Sequence, residues 1–335
     1  MQYRENIEVT KSNKQSYLDG IERIIEQRQT EAKAVRKEYI KNIFEDPERY
    51  REDFKAMLGY PLVGHDENSL PRVEMEKLSD EQTHSVYRMK IEILDGLIIS
   101  GLFFKAKGEE RKPLVIVQHG GGGTPEFVSG IYGDTGNYNN MLERVIKHGT
   151  HAFAPQLLLW NEKYEIPVAR NNIDARLKRV GSSITAIEIY AIVRIIDYFE
   201  AQSYVSRFGM VGLSYGGFYT LFTAAVDTRI HSAVSCSFFN TRDRVGWSDW
   251  TWQNSSEKFD DAEVACLIYP RKLWIGMGNR DELFDYRNTL ESFETVKNLC
   301  KDVVTDWVEL SVFDGVHEFY KDDKHIEKFI KDMFE

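Results

Sequence analysis

The spacing of apolar positions changes along the chain, and each change predicts a different kind of element. Between residues 16 and 59, apolar side chains recur at three- and four-residue intervals in a charged background: Tyr17, Leu18, Ile21, Ile24 and Ile25, then Tyr39, Ile40, Ile43 and Phe44. Such spacing lines one stripe of an α-helix. Asp46 and Pro47 predict an N-cap and a first-turn proline for a helix striped by Tyr50, Phe54, Met57 and Leu58, which Gly59 and Pro61 end. Helices of this kind cannot bury a stripe alone, so they are expected to pack on the main body or on a second subunit.

From Arg72 the period falls to two. Val73 and Met75 begin it, and Tyr87, Met89, Ile91 and Ile93 alternate with Arg88, Lys90 and Glu92. An apolar run over 97–104 follows Asp95-Gly96, which predicts antiparallel strands joined by a tight turn. Further on, short apolar runs at 113–118, 151–155, 209–213, 232–238, 272–276 and 307–313 alternate with helical patterns near 139–148, 182–202, 216–226, 289–300 and 324–334. This alternation predicts an α/β fold: a mainly parallel sheet with antiparallel amino-terminal strands and helices on both faces. The chain divides into a helical extension over 1–71 and one larger domain over 72–335.

Composition narrows the class. Of 335 residues 42% are hydrophobic, enough for a large core. No run approaches the ~18 consecutive apolar residues of a membrane span, and the amino terminus lacks an apolar signal core, so no membrane partner and a cytoplasmic location are expected. Lys and Arg total 43 against 53 Asp and Glu, and the net charge of −10 argues against nucleic acid as a partner. Cys236, Cys266 and Cys300 are widely spaced without a C-x-x-C pair, so buried thiols are expected, with neither a disulfide framework nor a zinc site.

Against that background one pentapeptide carries chemistry. Gly212-Leu213-Ser214-Tyr215-Gly216, followed by Gly217, lies where an apolar strand gives way to a helix. In this context G-x-S-x-G places a serine on a strained turn, and glycines two residues either side let strand and helix backbones approach. The competing use of Ser214 is as a simple helix cap. A nucleophilic serine needs a base, and the base needs an acid to hold one tautomer. His317, in Gly315-Val316-His317-Glu318-Phe319 after the last strand, is the best placed of eight histidines. His65, His84 and His325 lie in polar segments, His148 ends a helix, and His151 and His231 start strands. For the acid, Asp281 in Gly278-Asn279-Arg280-Asp281 is best placed, with Asp285 and Glu282 as alternatives. Donors for an oxyanion are expected from the backbone of Tyr215 and from His119-Gly120-Gly121-Gly122-Gly123, with Gly121 the partner of Tyr215. A phosphate loop would need a Lys-Ser/Thr sequel, which is absent. His119 reads better as a brace of this loop than as a base.

HGGGG, GLSYGG, GNRDELFD and GVHEF in this order resemble the α/β-hydrolase superfamily over residues 72–335, and most closely its dienelactone-hydrolase and prolyl-oligopeptidase-like branch. The segment 261–273 before the acid turn and the His-Glu-Phe ending are similar to acetyl xylan esterase-like members. The resemblance implies a serine hydrolase with Ser214, Asp281 and His317 as its triad and with no metal or organic cofactor. Dienelactone hydrolases proper use cysteine where this chain has Ser214, which favours ordinary esters. Prolyl peptidases of the branch carry an amino-terminal propeller that the first ~70 residues cannot form. Gln156 to Asn161 replace an Asp-x-x-Gly run found in many relatives.

Substrate contacts are expected from loops at the carboxyl ends of the strands. Trp247, Trp250 and Trp252 lie in the polar stretch 239–260, where indoles can stack on sugar rings or plug the core beneath the loop. Trp160 and Tyr164, with His119, are candidates for the same wall. The expected function is a short-chain, acetyl-type esterase acting on carbohydrate or small esters. A serine aminopeptidase or acyl-peptide hydrolase is the enzymatic alternative, and a non-catalytic binding protein on the same fold the other. A homo-oligomer through the amino-terminal helices is also expected.

Overall fold

The computed structural model describes residues 2–60, 69–94, 96–160, 164–167 and 169–335; Pro61, His65, Asp95 and Asn161 lie outside the described residues. Nine strands, β1 (Arg72–Asp80), β2 (His84–Leu94), β3 (Leu97–Ala106), β4 (Lys112–Gln118), β5 (His151–Pro155), β6 (Val205–Leu213), β7 (Ile230–Cys236), β8 (Lys272–Gly278) and β9 (Val308–Phe313), join in one sheet. Among the described residues its order is β1-β2-β3-β5-β4-β6-β7-β8-β9. The first three strands and the β3–β5 contact are antiparallel, and all pairs from β5 to β9 are parallel. The register brings Gln118 opposite Gly212, Leu213 opposite Cys236 and Gly278 opposite Phe313. The loops after β4, β6, β8 and β9 therefore leave from one edge.

Two apolar layers sandwich this sheet. One holds α2 (Pro47–Leu58), α6 (Ile184–Glu200), α7 (Tyr215–Val226), α8 (Asp261–Cys266) and α9 (Tyr286–Leu299). The other holds α4 (Met141–Ile146) and α10 (Lys324–Phe334). Within the first, α6 is apolar around most of its circumference because it lies beneath α2 and the 239–260 loop; Ile189, Ile192, Ile195 and Ile196 are fully buried. On α2, Phe54 packs edge-on against Phe222 of α7 at 5.1 Å, which joins the amino-terminal segment to the core of the sheet.

Several elements differ from the periodicity. The first helix, α1 (Ile7–Tyr39), starts well before residue 16 and runs unbroken to Tyr39. Residues 40–46 form a turn, so Ile40 and Ile43 reach the core from outside the helix. Asp46 precedes α2 without a side-chain capping bond. The short helices α3 (Pro125–Val128) and α8 escape a periodic reading because they make fewer than two turns, and α5 (Arg170–Lys178) because the residues it buries, Arg170 and Asp174, are charged. Met75 on β1 is exposed, because an edge strand buries little of either face.

Of α1, only Ala32 and Arg36 are buried. Arg36 pairs with Asp260 at 3.4 Å and Glu263 at 3.2 Å, and donates to the Ser256 carbonyl at 2.8 Å. Burial pushes the Glu263 carboxyl up to about 7. No helix is long and apolar enough to cross a membrane among the described residues.

Candidate active site

Ser214 sits between β6 and α7 at φ 61° and ψ −122°, outside the region that L-residues ordinarily occupy. The turn is held by Ser214 N–H donating to the Cys236 carbonyl at 2.9 Å. Its glycines are required by contact. A Cβ on Gly212 would fall 2.2 Å from the Gly216 carbonyl oxygen, and one on Gly216 would fall 2.1 Å from the Gln118 oxygen. Ser214 makes no side-chain capping bond, so its position is not explained as a helix cap. Strain of this kind concentrates at functional sites.

The loop after β9 brings His317 to the loop after β8. His317 Nδ1 lies 2.8 Å from Asp281 Oδ2, and the Asp281 side chain is fully buried. The other Asp281 oxygen accepts the Leu283 and Phe284 N–H groups at 2.9 and 3.0 Å, so this carboxylate has one orientation. Asp285 points away from the imidazole; it caps α9 through Arg287 N–H and pairs with the Arg287 guanidinium. Glu282 accepts the backbone N–H of His317 at 3.3 Å and so fixes the loop rather than the ring. Among the described residues no hydrogen bond joins the Ser214 hydroxyl to His317, and such contacts in unliganded sites are often long.

Facing the serine, the glycine loop packs so closely that a Cβ on Gly120 would lie 3.2 Å from Ser214 Cβ. Tyr215 N–H heads α7, where the helix supplies no acceptor of its own. Gly121 lies beneath the Trp160 indole, which a Cβ would approach to 2.7 Å, and its carbonyl accepts Trp160 N–H at 3.0 Å. His119 is fully buried; Nε2 accepts Leu157 N–H at 3.2 Å and Nδ1 meets the Gly120 carbonyl at 2.9 Å. Burial lowers its pKa to about 4, which keeps the ring neutral. His119 thus braces two loops and does not face the cleft as a substrate contact.

The indoles divide between two fates. Trp250 is 1% exposed and stacks on Phe218 at 4.9 Å, and Trp252 is buried against Phe222 and Arg242. These two plug the core, so the sugar-facing use is corrected for them: their rings are covered by aromatic neighbours. Trp160 is exposed at the site, and Trp247 is half-buried beside it. Trp247 stacks parallel to Tyr215 at 5.5 Å, and both indoles line a small cavity of about 210 Å³ with Arg170, Asn171 and Asp249. Tyr164 donates its hydroxyl to the Gly122 carbonyl at 3.2 Å.

Two groups of residues were not singled out from the sequence. Tyr215 donates to Asp249 at 2.9 Å, and Asp249 is paired with buried Arg170 at 2.7 Å, so the residue after Ser214 is anchored by an ion pair. Asn137, Tyr138 and Asn139 form a brace. Gly120 N–H donates to the Tyr138 hydroxyl at 2.7 Å, Asn137 Nδ2 donates to the His317 carbonyl at 3.0 Å, and Asn139 Nδ2 donates to the Phe319 carbonyl at 2.7 Å. The only sequence hint was the polar run Gly136-Asn137-Tyr138-Asn139-Asn140.

The sheet order, the strained serine after β6 and the loops above it define the α/β-hydrolase fold. Solved structures of that fold match the chain. One is a Bacteroides fragilis protein provisionally described as an acetyl xylan esterase, 14% identical with a TM-score of 0.64 over 79% of this chain and 74% of that one. Another is a glucuronoyl esterase from Solibacter usitatus, 15% identical with a TM-score of 0.61 over 85% and 92%. A third is acetyl xylan esterase 1 from Thermoanaerobacterium sp., 15% identical with a TM-score of 0.60 over 87% and 94%. At such identities the likeness is one of fold. No protein-family model and no curated protein matches the sequence.

Proposed function

We propose that the protein is a serine hydrolase of carboxylic esters, acting through an acyl-enzyme on short acyl esters of carbohydrates or small alcohols. The observation that carries this reading is the Asp281–His317 pair at the sheet edge where Ser214 is held in a strained turn. In the reaction His317 Nε2 takes the Ser214 proton, and Ser214 Oγ attacks the ester carbonyl. The oxyanion rests on the N–H groups of Tyr215 and Gly121, and the alcohol leaves with the proton from His317. Water then repeats the attack on the acyl-serine, and Asp281 stabilises the imidazolium without taking its proton. The neighbours named acetyl xylan and glucuronoyl esterase support a carbohydrate-linked ester, with Trp160 and Trp247 as stacking faces. No protein group requires a metal or organic cofactor for these steps. The reading keeps the dienelactone-hydrolase-like branch, the helical extension before a catalytic domain at 72–335, and a cytoplasmic location, with which the free, buried thiols of Cys236, Cys266 and Cys300 are compatible.

It also includes a homo-oligomer. On α1, Tyr17, Leu18, Ile21, Ile24 and Ile25 are 39–74% exposed along one stripe. Residues 9–18 carry Lys11 and Lys14 with no acid, whereas 19–31 carry four acids and two arginines, a charge of +2 followed by −2. An antiparallel copy of α1 crossing near Gly20 sets residues 9–18 against 19–31 of its partner while covering the stripe, which makes a second copy of this chain the fitting partner.

Hydrolysis of p-nitrophenyl acetate by wild type and Ser214→Ala tests the catalytic reading. A loss of several orders of magnitude in kcat is expected, and equal rates would sink it.

A further inference from the structure

A second, larger cavity adjoins the glycine loop and plays no part in the steps above. It encloses about 610 Å³ between the start of β3, the 156–160 segment and α6, a volume suited to a small organic ligand. Ile93, Ile99, Leu157, Leu159, Ile184 and Ile187 supply aliphatic walls. Around the mouth, Leu97, Ile98, Tyr132, Trp160, Tyr164 and Ile166 are 40–66% exposed. Single exposed apolar residues are commonplace, but a ring of them about one opening marks a binding surface.

The carboxylate and amide side chains at the wall, and Thr124, are already engaged within the protein. Glu188 pairs with Arg170 at 2.8 Å, Glu126 with Arg88 at 2.7 Å, and Gln156 donates to the Leu157 carbonyl at 2.9 Å. Thr124 accepts Phe127 N–H at 3.1 Å. What the walls offer a ligand is therefore chiefly hydrocarbon.

The cavity meets the candidate site at the glycine loop, with Trp160 common to it and to the smaller cavity beside Tyr215. Gly121 and Gly123 line it, and Trp160 stands as the partition: the indole covers Gly121 on the cavity side and meets the Tyr215 ring edge-on at 6.0 Å on the other. We propose that this cavity takes the aliphatic chain of the ester whose carbonyl is attacked by Ser214, and that Trp160 limits how much of the chain enters. The proposal rests on the ester-hydrolase reading above. It extends that reading from short acyl groups alone to esters with one longer apolar arm.

Two series separate the sources of the chain: p-nitrophenyl esters from acetate to octanoate vary the acyl arm, and alkyl acetates from ethyl to octyl vary the alcohol. In one series each methylene that enters raises kcat/KM about fourfold, the equivalent of ~0.8 kcal/mol per buried CH₂. Ile187→Glu should flatten that rise, and Trp160→Ala should steepen it. Calorimetric titration of Ser214→Ala with 1-octanol reads the cavity without turnover, and binding is expected that Ile187→Glu, added to Ser214→Ala, removes. Flat profiles in both series from an active enzyme overturn the proposal, as does octanol binding that Ile187→Glu leaves intact. Octanol binding by a wild type that hydrolyses no ester keeps the cavity as an aliphatic site and overturns the esterase reading instead.

Discussion

Asp281 and Asp285 carry the same functional group four residues apart, and their surroundings give them opposite uses. Asp281 is sealed from solvent with one oxygen on two backbone N–H groups and the other on His317, whereas Asp285 is tied to Arg287 at the surface. Asp281→Asn should lower kcat for p-nitrophenyl acetate by about 10⁴, since an amide can hold the wrong imidazole tautomer. Asp285→Asn should stay near wild type, because asparagine caps helices as well as aspartate does. Assayed together, a large loss from Asp285→Asn and none from Asp281→Asn would reverse the assignment. At this scale the serine and histidine stood out in the sequence by local signals, a glycine-framed turn and a position after the last strand. Among three nearby acids the glycine-started turn favoured Asp281, but the partners that occupy Asp285 and Glu282 were not legible there, because they depend on how the β8–β9 pairing arranges the two loops.

At the scale of elements, the segment between α3 and α4 does what no single motif announces. Through Tyr138 it holds the glycine loop, and through Asn137 and Asn139 it holds the loop bearing His317, so the two loops are positioned as one body. Tyr138→Phe leaves a buried Gly120 N–H without its acceptor, a loss of roughly 1–3 kcal/mol. Its kcat is expected to fall about tenfold with KM changed less than twofold, and Asn137→Ala should do likewise from the other side; a change confined to thermal stability would refute the positioning role. The strands and the long helices were legible because their periods are intrinsic to the elements. The brace was not, because it joins residues some 180 positions apart.

For the whole molecule, the projecting α1 is the feature that a single chain leaves incomplete. Sedimentation analysis over a concentration series should show a dimer for wild type and a monomer after removal of residues 2–28, which contain the exposed stripe but not Ala32 or Arg36. Lys11→Glu combined with Lys14→Glu should weaken the dimer more at low salt than at high salt, as expected for paired charges at a surface. A wild type that stays monomeric throughout, or a dimer indifferent to the truncation, would contradict the antiparallel pairing.

By itself the sequence determined the fold class, the order of the strands and longer helices, and the serine, histidine and glycine loop that the fold displays. Periodicity, strand–helix alternation and the steric need for glycine are properties of adjacent residues and are written in their order. Only the tertiary structure decided that Trp250 and Trp252 plug the core while Trp160 is exposed and Trp247 half-buried beside it, that His119 is a neutral brace, and that an aliphatic cavity opens beside Gly121. Each of these depends on what a side chain meets after distant strands have paired. An indole in a polar loop has the same local sequence whether its ring turns toward solvent or toward Phe218.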